Sequence, residues 1–293
     1  MRTSWDFEQG DDIVPGRVAL RRLGGGHRYE AYLAWDEKLF SLVVVKIVRP
    51  DQVDHSSVLR GLAREIRMLD RLNHPVLLRS FDAVLDGPRP HLVLEHLEGP
   101  RLSTLLRKYG RLPLEQLLPL ALEVCSALHY LSTEEIAHLD VKPSNIIMGA
   151  PPRLIDLSIA RTFDEAAALD SAVGTDAYMA PEQCELSASR PPGSAADVWG
   201  LGVTLFEACA GYLPFTQGVD DDAAEVTWRW PQIVEEPADL PRATLDAVAK
   251  PIYACLDKDP LVRPSPAQLA QLLEPLVGSL PKPVLGLLKP RLH

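Results

Sequence analysis

Two rhythms of apolar residues divide this chain. Before about residue 95 they come in short runs rich in β-branched residues, set off by Gly and Pro: Val18-Ala-Leu20, Ala31-Tyr-Leu-Ala-Trp35, Leu42-Val-Val-Val-Lys-Ile-Val48 and His91-Leu-Val-Leu94. Such runs are predicted strands. Between them Leu59, Leu62, Ile66, Leu69 and Leu72 recur at spacings of three and four, which predicts a helix with Ser57 as its cap. After Glu98-Gly99-Pro100 the helical period takes over, and Leu114, Leu117, Leu118, Ala121, Val124, Cys125, Leu128 and Leu131 form one continuous stripe. Pro119 is expected to kink that helix or mark its first turn. Further helices are predicted over roughly 195–210 and from Ser265, where Ser265, Pro266 and Gln268 supply an N-cap, an N1 proline and a capping-box partner. The class is α+β: a small sheet with one helix, then a larger helical part.

Composition narrows the partners. A formal net charge of -10 argues against general binding to a phosphate backbone, so nucleic acid is not an expected partner. The four cysteines, Cys125, Cys184, Cys209 and Cys255, form no C-x-x-C pair, which points away from zinc and disulfides and toward a reducing cytoplasm. No apolar run approaches the ~18 residues of a membrane span. Oligomeric state is left open.

The chemistry concentrates in a few places. Lys46 sits in the most apolar strand, on the same face as Val44 and Val48, where an ammonium wants an anion. Taken alone, a lysine snorkelling from an edge strand is an equal reading. Glu65 shifts the balance, because Leu62 and Leu69 place it on the buried stripe of its helix and two buried opposite charges imply a pair. The Gly24-Gly25-Gly26 turn lets backbone amides approach phosphate oxygens, although a plain hairpin turn is the commoner use of such a run. Finally, His138-Leu-Asp140-Val-Lys142-Pro-Ser-Asn145 followed by Ile155-Asp156 gathers two carboxylates, an amide and a lysine. Phosphoryl transfer needs that set: an acid for a hydroxyl proton, a cation for the phosphoryl in flight, and oxygen ligands for magnesium.

Together these residues resemble the serine/threonine protein kinase family, particularly its bacterial eukaryotic-like members. Gly24 and Gly26 match the glycine-rich loop, Val43-Val-Val-Lys46 the strand lysine motif, and Glu65 its helix partner. Asn73-His74-Pro75, the catalytic loop His138 to Asn145, Asp156-Leu157-Ser158, Gly174-Thr175, Ala180-Pro181-Glu182, Asp197-Val-Trp-Gly200 and Arg263 follow in the family's order. The resemblance implies a bilobal fold, with an N-lobe over 13–94, a hinge over 95–99, a C-lobe over 100–277 and a proline-rich tail over 278–293. It implies ATP and Mg2+ as cofactors and protein substrates bearing Ser or Thr. Asp140, Lys142, Asn145 and Thr175 would be catalytic, with Asn145 and Asp156 holding the metal. Gly24, Gly26, Ala31, Val44, Lys46, Glu65, Leu94, Glu95 and Leu97 would line the nucleotide site, with Leu94 as gatekeeper. Thr175 would bond Asp140 and Lys142, and Arg263 would pair with Glu182.

Two alternatives stand beside it: a pseudokinase that binds ATP as a scaffold, raised by departures from the family pattern, and a small-molecule phosphotransferase of kinase-like fold, which would share the loop from His138 to Asn145 and the metal-holding Asp156. Tyr29 replaces the third loop glycine, Ala31 the usual valine, and Ser158 the glycine of D-F-G, where it should resist positive φ. Gly174-Thr175, Ala180-Pro-Glu182 and Arg263 favour a protein substrate over a small one. Trp228 and Trp230 are expected to pack against the lobe, and Asp220-Asp221-Asp222 to form a solvated loop. Leu139 stands where many relatives carry an arginine that reads a phosphorylated activation segment. Modification of Thr162 or Ser171 is therefore expected to change activity only modestly, and a large loss of activity on phosphatase treatment would overturn this.

Overall fold

A computed structural model describes residues 3–221 and 224–280. The N-terminal part is an antiparallel sheet: β1 (Asp12–Val14), β2 (Arg17–Gly25), β3 (Tyr29–Asp36) and β4 (Ser41–Val48), then helix α1 (Ser56–Arg71), then β5 (Ser80–Val84) and β6 (His91–Glu95). Strand order is β1-β2-β3-β4-β6-β5. Alternation along β4 splits it between two faces. Val43, Val45 and Ile47 are buried in a small outer core with Ile13, Tyr32 and Val93, while Val44, Lys46 and Val48 face α1 and the rest of the chain.

The outer core has a cover that the hydrophobic pattern did not announce. Trp5 and Phe7 pack on it with rings stacked 5.8 Å apart, and the Trp5 indole N–H donates to the Val48 carbonyl at 2.8 Å. Strands β1 and β5 were also not expected. Both are short, and β5 is an edge strand with little burial, so neither carries a strong apolar run. Ser57 does not cap α1. The cap position is His55, in extended backbone and with no side-chain bond, which leaves Ser57 inside the first turn.

After the sheet come α2 (Leu102–Tyr109), α3 (Leu114–Thr133), the short strands β7 (Ile136–Ala137), β8 (Ile146–Ile147), β9 (Arg153–Leu154) and β10 (Arg161–Thr162), and helices α4 (Phe163–Ala167), α5 (Pro181–Cys184), α6 (Ser194–Ala210), α7 (Val226–Arg229), α8 (Asp246–Cys255) and α9 (Pro266–Gly278). Pro119 lies in the interior of α3, past its first turn. Its missing N–H frees the carbonyl of Glu115, an exposed residue, so water can supply the lost bond. The Ser265 cap forms as expected, with Ser265 and Gln268 bonding each other's backbone. Trp230 is buried, but Trp228 is 67% exposed and does not pack as expected. Asp222 and the proline-rich tail beyond 280 lie outside the described residues. No helix among the described residues is long and apolar enough to cross a membrane.

One buried ion pair braces the helical part. Arg263 meets Glu182 through two bonds of 2.7 and 2.8 Å, and also donates to the carbonyls of Ala195 and Asp257, both at 2.8 Å. Both side chains are sealed from water, so removing one leaves a bare charge in the interior. Replacing either Glu182 or Arg263 with Ala is expected to lower unfolding free energy by about 3–5 kcal/mol, measured by urea titration; a cost below about 1 kcal/mol would contradict the burial argument.

Candidate active site

The site begins with β4 and α1. Register pairs Lys46 with Ala31 on one side and Leu92 on the other, which points its stem into the space beneath the sheet. Glu65 rises from α1 between Leu62 and Leu69 at 1% exposure and grips the ammonium with both oxygens, at 2.8 and 2.7 Å. Burial pushes the Lys46 ammonium toward neutrality, but the charges of Glu65 and Asp156 outweigh it and hold Lys46 above the usual lysine range. Asp156 lies 3.4 Å away. Burial acts to raise its carboxyl, yet Lys46, together with bonds from Ser158, keeps it well below the usual carboxylate range.

The second cluster is built on the loop between β7 and β8. Asp140 shares one carboxylate among three partners: Oδ1 accepts from the Thr175 hydroxyl at 2.7 Å, while Oδ2 meets the Lys142 ammonium at 2.6 Å and the Asn145 amide at 2.9 Å. Thr175 in turn accepts from Lys142 at 2.5 Å. Gly174 makes that approach possible, since it has φ +145° and a side chain there would strike Met179 and crowd the Leu139 carbonyl. His138 is buried, and desolvation lowers its pKa and keeps the ring neutral. One ring nitrogen accepts from the Asp140 N–H at 3.3 Å, which makes the other the donor to the Ile155 carbonyl at 3.3 Å.

Two residues organise this loop with no role read for them in the sequence. Asp197, on α6, accepts the backbone N–H of His138 at 2.8 Å and of Leu139 at 2.7 Å. Gln183, on α5, donates 3.0 Å bonds to the carbonyls of both Leu139 and Val173. Leu139 needs this support because it sits in the left-handed region with φ 63°, its side chain buried in the main core. Asp156, at φ 70°, shares that region, as do Asp6, Phe40 and Glu135 elsewhere in the chain. Positive φ was anticipated as an issue at Ser158; it falls on the aspartate, a residue type that tolerates it better.

Between the two clusters lies a cleft of about 890 Å³. Gly24, Gly26, Ala31, Val44, Lys46, Glu65, Leu94, Glu95, Leu97, Asn145 and Asp156 all line it. Leu78, Ile147 and Ile155 add apolar lining that the motifs did not name, and Tyr29 adds a ring near Lys46. Asp140, Lys142 and Thr175 stand beyond the lining, joined to it through Asn145. The Glu95 carboxylate accepts from Arg153 and from the Arg79 N–H, both at 2.9 Å, and the Glu95 N–H donates to the Arg79 carbonyl at 3.0 Å. Among the described residues, the Leu97 backbone N–H and carbonyl bond no other protein group.

Comparison with known proteins places this geometry. The family model for the protein kinase domain matches residues 18–273. The chain belongs to the protein kinase family. Similar proteins include the serine/threonine-protein kinase PkaA of Streptomyces coelicolor, 33% identical over 78% of this chain and 42% of the relative. The serine/threonine-protein kinase PknB of Mycobacterium leprae is 29% identical over 78% of this chain and 39% of the relative, and the probable serine/threonine-protein kinase PkwA of Thermomonospora curvata is 31% identical over 87% and 34%. The alignments thus span between 34 and 42% of these relatives' own lengths.

Within the kinase domain, the buried Asp197 has a measurable signature. Burial pushes its carboxyl up to about 7, against the lowering effect of the two amides it accepts. Unfolded aspartate titrates near 3.9, so between about pH 4 and 7 the folded state keeps a proton that the unfolded chain has released. Stability from this group is therefore lost as pH rises through that window. The unfolding free energy of the wild type is expected to fall relative to Asp197→Asn by up to ~1.4 kcal/mol per pH unit there, and then run parallel. A difference that does not vary with pH would overturn the shift.

Proposed function

We propose that this chain is an ATP-dependent protein kinase that transfers the γ-phosphoryl group to Ser or Thr hydroxyls of proteins, its own included. The observation that carries this reading is the single carboxylate of Asp140, held by Thr175, Lys142 and Asn145, with Asn145 opening onto the same cleft as Lys46 and Asp156. In this reading Asp140 orients the substrate hydroxyl and takes its proton as the oxygen bonds the γ-phosphorus. The bond from that phosphorus to the β–γ bridging oxygen breaks, and ADP leaves. Lys142 faces the charge on the phosphoryl in flight, and Lys46, fixed by Glu65, holds the α and β phosphates. Leu94, Leu97 and the apolar walls would take the base, with the Leu97 backbone groups able to bond its edge.

Asn145 and Asp156 fit magnesium. Asn145 spends its amide donors on Asp140, which leaves its oxygen as the ligand, and the Asp156 side chain is 40% exposed to the cleft. Hard oxygen donors in that number suit a cation completed by water and phosphate oxygens. Bound there, it would neutralise charge developing on the phosphates.

The second reading, a nucleotide-binding scaffold, rests on Tyr29, Leu139 and Ser158. Transfer of labelled phosphate from magnesium-ATP to a basic protein substrate and to the chain itself separates the two. Transfer is expected from the wild type, with Asp140→Asn slowed by ~10²- to 10⁴-fold and Lys46→Met similarly defective. Nucleotide binding without transfer in the wild type would favour the scaffold, and undiminished rates in Asp140→Asn would reject the assignment of Asp140.

A further inference from the structure

We propose that Tyr29 is a positioning residue that clamps α1 over the phosphate end of the cleft and so keeps Lys46 and Glu65 paired without any charge added to the activation segment. Its consequence for catalysis rests on the kinase reading above; the clamp itself does not. Tyr29 opens β3 at a position where the family resemblance expects glycine. Strand alternation sends Glu30 and Tyr32 to the outer face and leaves Tyr29 and Ala31 facing inward. The Lys46 ammonium lies 4.9 Å from the centre of the Tyr29 ring, and the phenol O–H donates to the Val58 carbonyl at 2.9 Å.

Two features of α1 fit that hydroxyl. The first is Gly61, a glycine within the body of a helix, where alanine is preferred on backbone grounds. A side chain at Gly61 would come within 3.1 Å of the Tyr29 hydroxyl oxygen, so the phenol would have to shift by a few tenths of an ångström against its bond to Val58. The second is the N-terminus of α1, which lacks a side-chain cap. Among the described residues, no other side chain donates to or accepts from the backbone of its first turn, so Tyr29 supplies the tether there. Burial raises the Tyr29 pKa, which keeps the phenol a donor. Leu139, an apolar side chain inside the core, cannot pair with a phosphate on the activation segment, so the clamp is proposed to work without one.

Amide exchange and thermal unfolding of the full chain test the clamp without any need for activity. Tyr29→Phe keeps the ring and is expected to speed exchange in the first turn of α1 by roughly fivefold, the loss of one ordinary hydrogen bond. Gly61→Ala should raise Tm in the Tyr29→Phe background and lower it, or leave it unmoved, in the wild type. Unchanged α1 exchange in Tyr29→Phe, or the same Tm shift for Gly61→Ala in both backgrounds, would overturn the clamp. In phosphotransfer assays Tyr29→Phe should lower kcat severalfold while KM for ATP stays within about twofold. An equal kcat in Tyr29→Phe and wild type would show that the clamp does not position the catalytic pair. A wild type that transfers no phosphate would defeat the kinase reading, with exchange and the Tm cycle still deciding the clamp.

Discussion

The contact between Lys46 and Glu65 constrains the rest of the small lobe. An ammonium in the middle of an apolar strand and a carboxylate on the apolar stripe of a helix each carry a desolvation cost of several kcal/mol, and each is tolerable only with the other in reach. A sheet and a helix that could pack in several orientations are therefore held to those that bring Nζ within 3 Å of the carboxylate. Asp156, 3.4 Å from the same ammonium, extends the constraint across the cleft, and Arg71 at the far end of α1 donates to the Glu134 carbonyl at 2.6 Å.

In the helical part the corresponding reference is α6. Its Asp197 fixes the backbone ahead of Asp140, and the carbonyl of Ala195 in its first turn accepts from Arg263, which also holds Glu182. The loop that carries Asp140 and the segment that ends at Glu182 are thus both tied to α6, the first directly and the second through Arg263. Left-handed backbone at Leu139 and Asp156 costs on the order of 1–3 kcal/mol at each site, and only a scaffold of that rigidity keeps such conformations populated. Of the five positive-φ residues that are not glycine, Leu139 precedes Asp140 and Asp156 is itself a proposed metal ligand.

Element types and the motif residues were legible in the sequence because each depends on local signals: β-branched runs, a three-and-four stripe, a reciprocal cap at Ser265. What escaped depends on contacts far along the chain. Trp5 and Phe7 gain meaning only once the outer face of the sheet exists to receive them. Asp197 belongs to a motif of the resemblance, but its role, like that of Gln183, stays hidden because the two act on backbone groups 58 and 44 residues away. Ser57 was a sound choice of cap by residue type, but cap position is set by where the backbone turns extended, and that is at His55. Trp228 was assigned to packing because large aromatics usually are; here one neighbour, Trp230, takes the buried place and bonds Asp176 at 3.1 Å.

Charge balance at the phosphate end favours the metal complex of the nucleotide as the proposed substrate. Lys46 and Lys142 face Glu65, Asp140 and Asp156, so carboxylates outnumber ammoniums before any ligand enters. A bare triphosphate would bring several more negative charges into a space where interactions are less screened than in water. Lys46 cannot offset this alone, because its charge is already divided between Glu65 and Asp156. Oxygen ligands on Asn145 and Asp156 would supply sites for a divalent cation, whose charge would offset that of the phosphates.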